Sequence, residues 1–221
     1  MSVAARFILF VCLFLSGHAA FAAVPRLVPD VSQRAVDIQS RFNGVELLLF
    51  GAILYPRGLV PEENVDIAVV LRGQTKPIIV REKQKVAGIW VNAASVDFRS
   101  APSYYAVATS RPLEKIIDAK TAAIYELGLS RLQLSPTGEL TNNEVRRFTK
   151  GLVDLNSRDG LFLEKPGTVD ITGQVLYRAR LYLPSSVPEG RYVAETLLIR
   201  NGKVVAADDS VIVNVSKTGF E

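Results

Sequence analysis

The chain has 221 residues and a net charge of +4, with 26 Lys and Arg against 22 Asp and Glu. So small an excess of positive charge is not the footprint of a nucleic-acid-binding protein. Met1, Cys12 and His18 are the only residues of their types, so chemistry that depends on those side chains is confined to the start of the chain.

Residues 1–22 have the pattern of a secretory signal peptide. Arg6 precedes an apolar run from Phe7 to Leu15, and small residues then lead to an A-x-A site that ends at Ala22. The run is too short to span a bilayer as a helix of the mature protein. We predict cleavage after Ala22 and export to the periplasm, and the alternative is an uncleaved N-terminal anchor.

Cleavage would remove the only Met, Cys and His of the chain. Without His or Cys, a protein cannot build a Ser-His-Asp or Cys-His nucleophilic site, a zinc or copper site of the usual nitrogen and sulfur type, or a disulfide. We therefore predict no cofactor, no metal and no catalytic residue, and a fold that depends on its apolar core alone.

The first segment of the predicted mature chain, residues 23–111, has a β pattern. A strand near Val36–Arg41, an Asn43-Gly44 turn and an apolar strand at Val45–Leu54 predict a hairpin. Further strands rich in β-forming residues are predicted at Val65–Gly73, at Lys76–Val91 and in the stretch SYYAVATS.

Three aromatic residues of this segment are candidates for a recognition surface. Trp90 lies on a predicted sandwich strand, so we predict that it is buried, with ligand stacking as the alternative. Tyr104 and Tyr105 are adjacent on one strand, where successive side chains point to opposite faces. One of the two is therefore expected to be partly exposed and available for binding, although an exposed aromatic residue needs no function.

Arg81, Lys83 and Lys85 alternate along a predicted strand, which would align the three cations on one face. One interpretation is a site for a polyanion or for lipid headgroups. The other is an edge strand whose basic side chains prevent association with a second sheet.

Residues 112–160 change to a helical pattern. Pro112 suits the first turn of a helix and Gly128 its end. A second helix is predicted from Thr141 and Glu144, which have the spacing of a capping box, and apolar residues continue at helical spacing to Gly160. We predict a two-helix insert or linker between two β regions.

Residues 161–221 return to a β pattern. The stretch TVDITGQVLYRARLYLP predicts one or two strands, and a hairpin with an Asn201-Gly202 turn precedes a terminal strand at Ser210–Ser216. The phrase VPEGRYVAETLLI, which contains Tyr192, resembles the corner that starts the penultimate strand of immunoglobulin-like sandwiches.

These patterns together predict a mostly β fold, with one or more immunoglobulin-like β-sandwiches and a two-helix insert. The predicted organisation is an N-terminal β region (23–111), the helical insert (112–160) and a C-terminal immunoglobulin-like region (161–221). Whether the strands form one interleaved sandwich or two domains stays open at this point.

The segments GIWVN and APSYYAVATSRPL, together with LVPDVSQRAVDIQSRFNGVELLLFGAI, resemble the alphaproteobacterial putative transmembrane protein family from about Leu27 onward. The resemblance implies a periplasmic body followed by a C-terminal membrane helix, and it offers no catalytic residues. The sequence ends at Phe220-Glu221, about where that helix would begin. We expect membrane anchoring if a longer chain carries the helix, and a soluble periplasmic protein otherwise.

Three functional hypotheses follow. The first is a non-enzymatic accessory module that contacts an envelope or inner-membrane protein, such as a transporter, or an anionic lipid surface. The second is a binding domain for an envelope glycan or polyanion, using the exposed tyrosine and the three cations. The third, a hydrolase that uses carboxylates alone, would need two facing Asp or Glu side chains in a cleft, whereas Glu62-Glu63 and Asp208-Asp209 are more typical of solvated turns.

Overall fold

The computed structural model describes residues 24–39 and 44–218. Within those residues the chain forms twelve strands and three helices. Their bounds are β1 (Arg26–Val31), β2 (Ala35–Ile38), β3 (Val45–Leu54), β4 (Asp66–Arg72), β5 (Thr75–Val86), β6 (Ile89–Pro102), β7 (Tyr105–Thr109), α1 (Leu113–Ile116), α2 (Ala119–Ile124), α3 (Asn142–Arg158), β8 (Phe162–Pro166), β9 (Val169–Thr172), β10 (Leu176–Leu183), β11 (Gly190–Arg200) and β12 (Lys203–Lys217). The predicted mostly β fold with helices between two β regions is confirmed.

The strands form two larger sheets and one separate hairpin. The four-stranded sheet has the order β1-β3-β10-β9, and the six-stranded sheet has the order β2-β12-β11-β4-β7-β8. Strands β5 and β6 pair with each other. Each larger sheet combines strands from before and after the helices, so the two β regions are interleaved.

The six-stranded sheet is covered on both faces. Along β4, Ile67, Val69 and Leu71 contact the core shared with the four-stranded sheet. The alternate residues Ala68 and Val70 contact a second core, which lies under the helical segment. Because both faces of β4 exclude water, its sequence is a continuous apolar run rather than an alternating one.

The helical segment differs from the prediction at its start. The helix expected between Pro112 and Gly128 is interrupted at Ile117, which has an extended backbone, and a new helix begins after Asp118. The Asp118 carboxylate accepts a hydrogen bond from the Thr121 backbone N–H at 2.9 Å and thereby caps α2.

The capping box predicted for the next helix is confirmed at the start of α3. The Glu144 backbone N–H donates to the Thr141 hydroxyl at 3.3 Å, and the Thr141 backbone N–H donates to the Glu144 carboxylate at 2.9 Å. Phe148 and Leu152 on this helix are buried.

Two hairpin assignments from the sequence need correction. The predicted pairing of β2 with β3 is wrong, because β2 pairs in parallel with β12 while β3 pairs with β1 and β10; Asn43 of the expected turn lies outside the described residues. The single strand expected at Lys76–Val91 is a hairpin, with Ala87 and Gly88 at its turn.

The C-terminal hairpin is as predicted. Asn201 and Gly202 have positive φ angles, 51° and 77°, and connect the antiparallel strands β11 and β12. The predicted terminal strand is part of the longer β12. At the start of β11 the Tyr192 hydroxyl donates to the Pro188 carbonyl at 2.5 Å, which fixes the turn before that strand.

A buried carboxylate connects β4 to the chain after β7. Asp66 accepts hydrogen bonds from Arg111 Nε at 2.8 Å, from Arg111 Nη2 at 2.5 Å and from the Ser110 hydroxyl at 2.7 Å. The carboxylate is shielded from water, whereas the Arg111 side chain is 54% exposed. Removal of this acceptor therefore costs three hydrogen bonds to a charged group and leaves the Ser110 hydroxyl without this partner.

We predict that Asp66→Ala lowers the free energy of unfolding in urea by about 2 kcal/mol. The matched control is Asp170→Ala, since Asp170 pairs with Arg178 at 3.2 Å but both side chains are more than half exposed; its cost is expected to be below about 1 kcal/mol. Equal destabilisation by the two substitutions would contradict the role given to Asp66.

Candidate functional site

The hairpin of β5 and β6, residues 75–102, is the feature of the described chain that stands apart from the two large sheets, and we call it the arm. It leaves the six-stranded sheet after β4 and returns to it at β7. At its turn, Ala87 and Gly88 have φ angles of 49° and 89°. Two consecutive positive φ angles are typical of the tight turns that suit the twist of a hairpin.

The base of the arm is held by helix α3. Val80, Val96 and Phe98 of the arm are buried against Phe148 and Leu152 of that helix. These contacts form a small third core apart from the two larger ones, so the base has a fixed position relative to the rest of the molecule.

Beyond Val80 and Val96 the arm projects away from the cores. We define the arm tip as residues 83–92, all of which are exposed. On the side facing α3, Arg147 Nη2 and Glu82 Oε2 form an ion pair at 3.1 Å, just before the tip begins.

The arm tip carries large apolar side chains in contact with solvent. Trp90 is 66% exposed, Ile89 is 69% exposed, and Val86 and Val91 are exposed as well. The prediction that Trp90 is buried is therefore wrong. It assumed a sandwich strand, whereas Trp90 lies on a two-stranded ribbon beyond the last contact with a core.

The three predicted cations lie on β5 and are exposed. Lys85 is directly opposite Trp90 on the neighbouring strand, Lys83 is opposite Asn92, and Arg81 is opposite Ser95. Residues directly opposite in an antiparallel pair share a face. Lys83 and Lys85 are thus beside Trp90 rather than beside Tyr104 or Tyr105, and Arg81 lies nearer the base of the arm.

Both tyrosines are completely buried, with 0% exposure, so the expectation that one is exposed is wrong. Tyr104 enters the core between the sheets and donates to the Tyr182 carbonyl at 2.7 Å. Tyr105 enters the core under the helices and donates to the Glu126 carbonyl at 2.7 Å. The alternation argument was correct, but it assumed that one face of the sheet is solvated.

Burial also changes the acidity of these hydroxyl groups. Loss of solvation raises the pKa of Tyr104 and Tyr105 well above the usual value. The same cause raises the pKa of Tyr177 to about 12 and that of Tyr192 to about 12. None of the four is suited to act as a base or nucleophile near neutral pH.

A concave surface lies on the outer face of the four-stranded sheet. It encloses about 500 Å³, and Asp30 and Asp170 are both at its edge. Across the sheet Asp30 is opposite Phe50, Phe50 is opposite Arg178, and Arg178 is opposite Asp170. Three strand spacings place the backbones of Asp30 and Asp170 about 14 Å apart, whereas carboxylate pairs in glycosidases are about 5 to 10 Å apart. Each of the two carboxylates pairs with an arginine of its own, Arg34 or Arg178.

The acidic pairs singled out in the sequence have local structural contacts. Asp208 accepts from the Ser210 backbone N–H at 2.9 Å, next to an irregularity in β12. Glu63 accepts from the Asn201 side chain at 3.0 Å. Over residues 24–39 and 44–218 no group of three or more acidic side chains has a spacing that could hold a metal ion.

In the same described residues there is no helix that combines the length and the apolar character needed to cross a membrane. A family model described as "Putative transmembrane protein (Alph_Pro_TM)" matches residues 26–221. No curated protein and no solved structure matches the chain. The arm and both buried tyrosines lie within the matched region.

We predict that unfolding changes the fluorescence of this protein very little. Trp90 is the only tryptophan and is already solvated in the folded protein, so its emission maximum in urea is expected to stay close to its native position. Iodide should quench the folded and unfolded forms to a similar degree. A large red shift on unfolding would contradict the exposed position of Trp90.

We further predict a loss of stability between about pH 10 and 12. The pKa values of Tyr177 and Tyr192 are about 12 in the folded protein, above the usual value of about 10. In this window the unfolded chain loses protons that the folded chain keeps, so the free energy of unfolding falls as pH rises. Tyrosinate absorbance and circular dichroism should change together; ionisation of all tyrosines in a still folded protein would contradict this.

Proposed function

We propose that this chain, which belongs to the family described as "Putative transmembrane protein (Alph_Pro_TM)", is an exported, non-enzymatic accessory module. It docks at the membrane through its arm. Family membership confirms the resemblance found in the sequence. The docking role is supported by one observation above all, the exposed apolar tip of the arm.

The arm tip has no role in the cores that could explain its composition. Its residues Val86, Ile89, Trp90 and Val91 are large and apolar, yet all are exposed. Val86, Ile89 and Val91 lie on one face of the ribbon and Trp90 lies on the other. Scattered exposed apolar residues are normal on soluble proteins, but several of them gathered at the end of a projecting element are typical of a binding surface. A rigid base and an exposed tip also suit an element that reaches a second surface.

We infer in addition that the two larger sheets form an immunoglobulin-like sandwich. The orders β1-β3-β10-β9 and β12-β11-β4 correspond to the A-B-E-D and G-F-C sheets of that fold. Tyr192 on β11 occupies strand F in this scheme, and its hydrogen bond to Pro188 is the tyrosine-corner contact. The arm would then be an insertion after strand C.

The proposed location is the periplasm. It is supported by the signal-peptide pattern that ends at Ala22, which lies outside the described residues, and by the family description, which points to a membrane. The sandwich would present the arm from the exported side of the inner membrane.

A second candidate function is binding of an envelope glycan or polyanion. It is favoured by the position of Lys85 directly opposite Trp90, because an aromatic face beside cations can stack on a sugar ring and pair with an anionic group. The hydrolase hypothesis is the weakest of the three, because Asp30 and Asp170, on the outer face of the four-stranded sheet, are three strand spacings apart, which is wide for paired acid and base catalysis.

The docking role can be tested by site-specific crosslinking in the native envelope. A photo-crosslinking amino acid at Ile89 is expected to give an adduct with a membrane component, because this position lies at the end of the arm. The matched control is the same amino acid at Ile124, which is 65% exposed against 69% for Ile89 but lies on α2, away from the arm. No adduct at Ile89, or identical adducts at both positions, would refute the proposal.

A further inference from the structure

We infer that the surface met by the arm is an anionic phospholipid bilayer, with Trp90 in the headgroup layer and Lys83 and Lys85 against lipid phosphates. This inference rests on the docking role proposed above and names its partner. Three properties of the arm tip carry it: its side-chain chemistry, its length and the open edges of its backbone.

The side chains of the tip are those that favour a membrane interface. The indole ring is apolar with one polar N–H group, and tryptophan is enriched at the level of the lipid headgroups. Lys83 and Lys85 share its face, and their long stems can lie along apolar surface while the ammonium groups reach phosphates. From Lys83 to Ser95 the sequence contains no acidic residue that would oppose an anionic surface.

The dimensions agree with this placement. At the usual strand rise, the part of β5 from its last buried residue, Val80, to Val86 extends over about 20 Å. A headgroup layer is about 5 to 8 Å thick on each side of a bilayer. Lys83 and Lys85 are about 7 Å apart along the strand, whereas Arg81 is about 13 Å from Lys85. The two lysines can therefore reach the phosphates while Arg81 stays near α3.

The backbone of the arm limits how deep it can enter. At the tip each strand pairs only with the other, whereas β6 is bonded to residues 135–137 near the base of the arm. Both outer edges of the tip therefore carry N–H and C=O groups that need water or headgroup partners. Hydrocarbon offers no such partners, and open sheet edges do not occur there. The tip is thus confined to the interface, where binding is peripheral and reversible and depends on the lysines as well as on the apolar side chains.

The charge pattern favours lipid over a protein groove. The centres of protein interfaces are enriched in tryptophan but depleted in lysine, because burial of an ammonium group is costly. Here Lys85 is directly opposite Trp90, so a partner that covered the indole would also have to accept the ammonium group. A layer of anionic phosphates does this without any specific pocket.

The test uses the purified exported chain and vesicles of phosphatidylcholine, with or without an equimolar amount of phosphatidylglycerol. Because Trp90 is the only tryptophan, its emission reports the arm tip alone. We expect a blue shift with the anionic vesicles and little change with pure phosphatidylcholine. The shift should reverse at high salt, because the attraction between exposed charges is screened.

Variants then separate the contributions of the two lysines and of Trp90 to vesicle binding, which is measured by sedimentation of the vesicles. Lys83→Gln and Lys85→Gln should each weaken binding about fivefold, and the double variant about 30-fold. Trp90→Ala should weaken it at least about tenfold. The controls are Ile124→Ala and the double variant Lys120→Gln and Lys150→Gln, which remove an exposed apolar residue and two exposed cations outside the arm and should have little effect.

Equal binding to neutral and anionic vesicles, or equal losses in the control variants, would overturn the inference. The outcomes also distinguish it from the docking role. If the purified protein does not bind anionic vesicles while the amino acid at position 89 still crosslinks to an envelope protein or glycan, the inference of lipid recognition is wrong. The proposed docking role is then retained. If Ile89 gives no adduct and the vesicles are not bound, both are wrong.

Discussion

The side chains of strand β4 point alternately into two different cores, and its neighbour β7 does the same. Every apolar residue of these two strands is buried. Both faces of the six-stranded sheet must therefore be shielded from solvent at β4 and β7. The four-stranded sheet must cover one face and the helical segment the other. The helical segment is therefore a structural layer of the fold, although in the sequence it looks like a linker between two β regions.

This double coverage also explains why the arm has a fixed base and a free tip. The arm starts just after β4 and ends just before β7, and almost every residue of these two strands is buried. Helix α3 then packs Phe148 and Leu152 against Val80, Val96 and Phe98. Past these contacts and the ion pair of Arg147 with Glu82, residues 83–92 are all exposed, so the arm tip is free to contact another surface without disturbing either main core.

The sequence predicted the elements whose signals are local. The capping box of Thr141 and Glu144 and the Asn201-Gly202 turn were both recognised, since residue type alone favours those conformations. The turn of the arm was missed because Ala87 has a positive φ angle, which costs an alanine about 1 kcal/mol and so gives no turn signal in the sequence. Ala87→Gly would relieve that cost without touching any core.

The aromatic residues were misjudged for a different reason, which is that burial depends on neighbours that are distant in the sequence. Tyr104 and Tyr105 follow the alternation rule, but the rule says nothing about what lies on the second face of the sheet. Trp90 was assigned to a core because strands in sandwiches usually have neighbours on both sides. Neither error could be corrected from local patterns, since both depend on where the helical segment and the arm lie.

The two interpretations of the basic residues on β5 are compatible. In the free protein, Lys83 and Lys85 lie on a two-stranded ribbon whose open edges could pair with strands of other molecules. Charged side chains at such edges oppose that pairing. Association with a bilayer would keep the same side chains at the boundary with water, where their charge meets lipid phosphates. One pair of lysines can thus keep an apolar tip from self-association in solution and direct it toward an anionic surface, because the two tasks require the same charge in the same place.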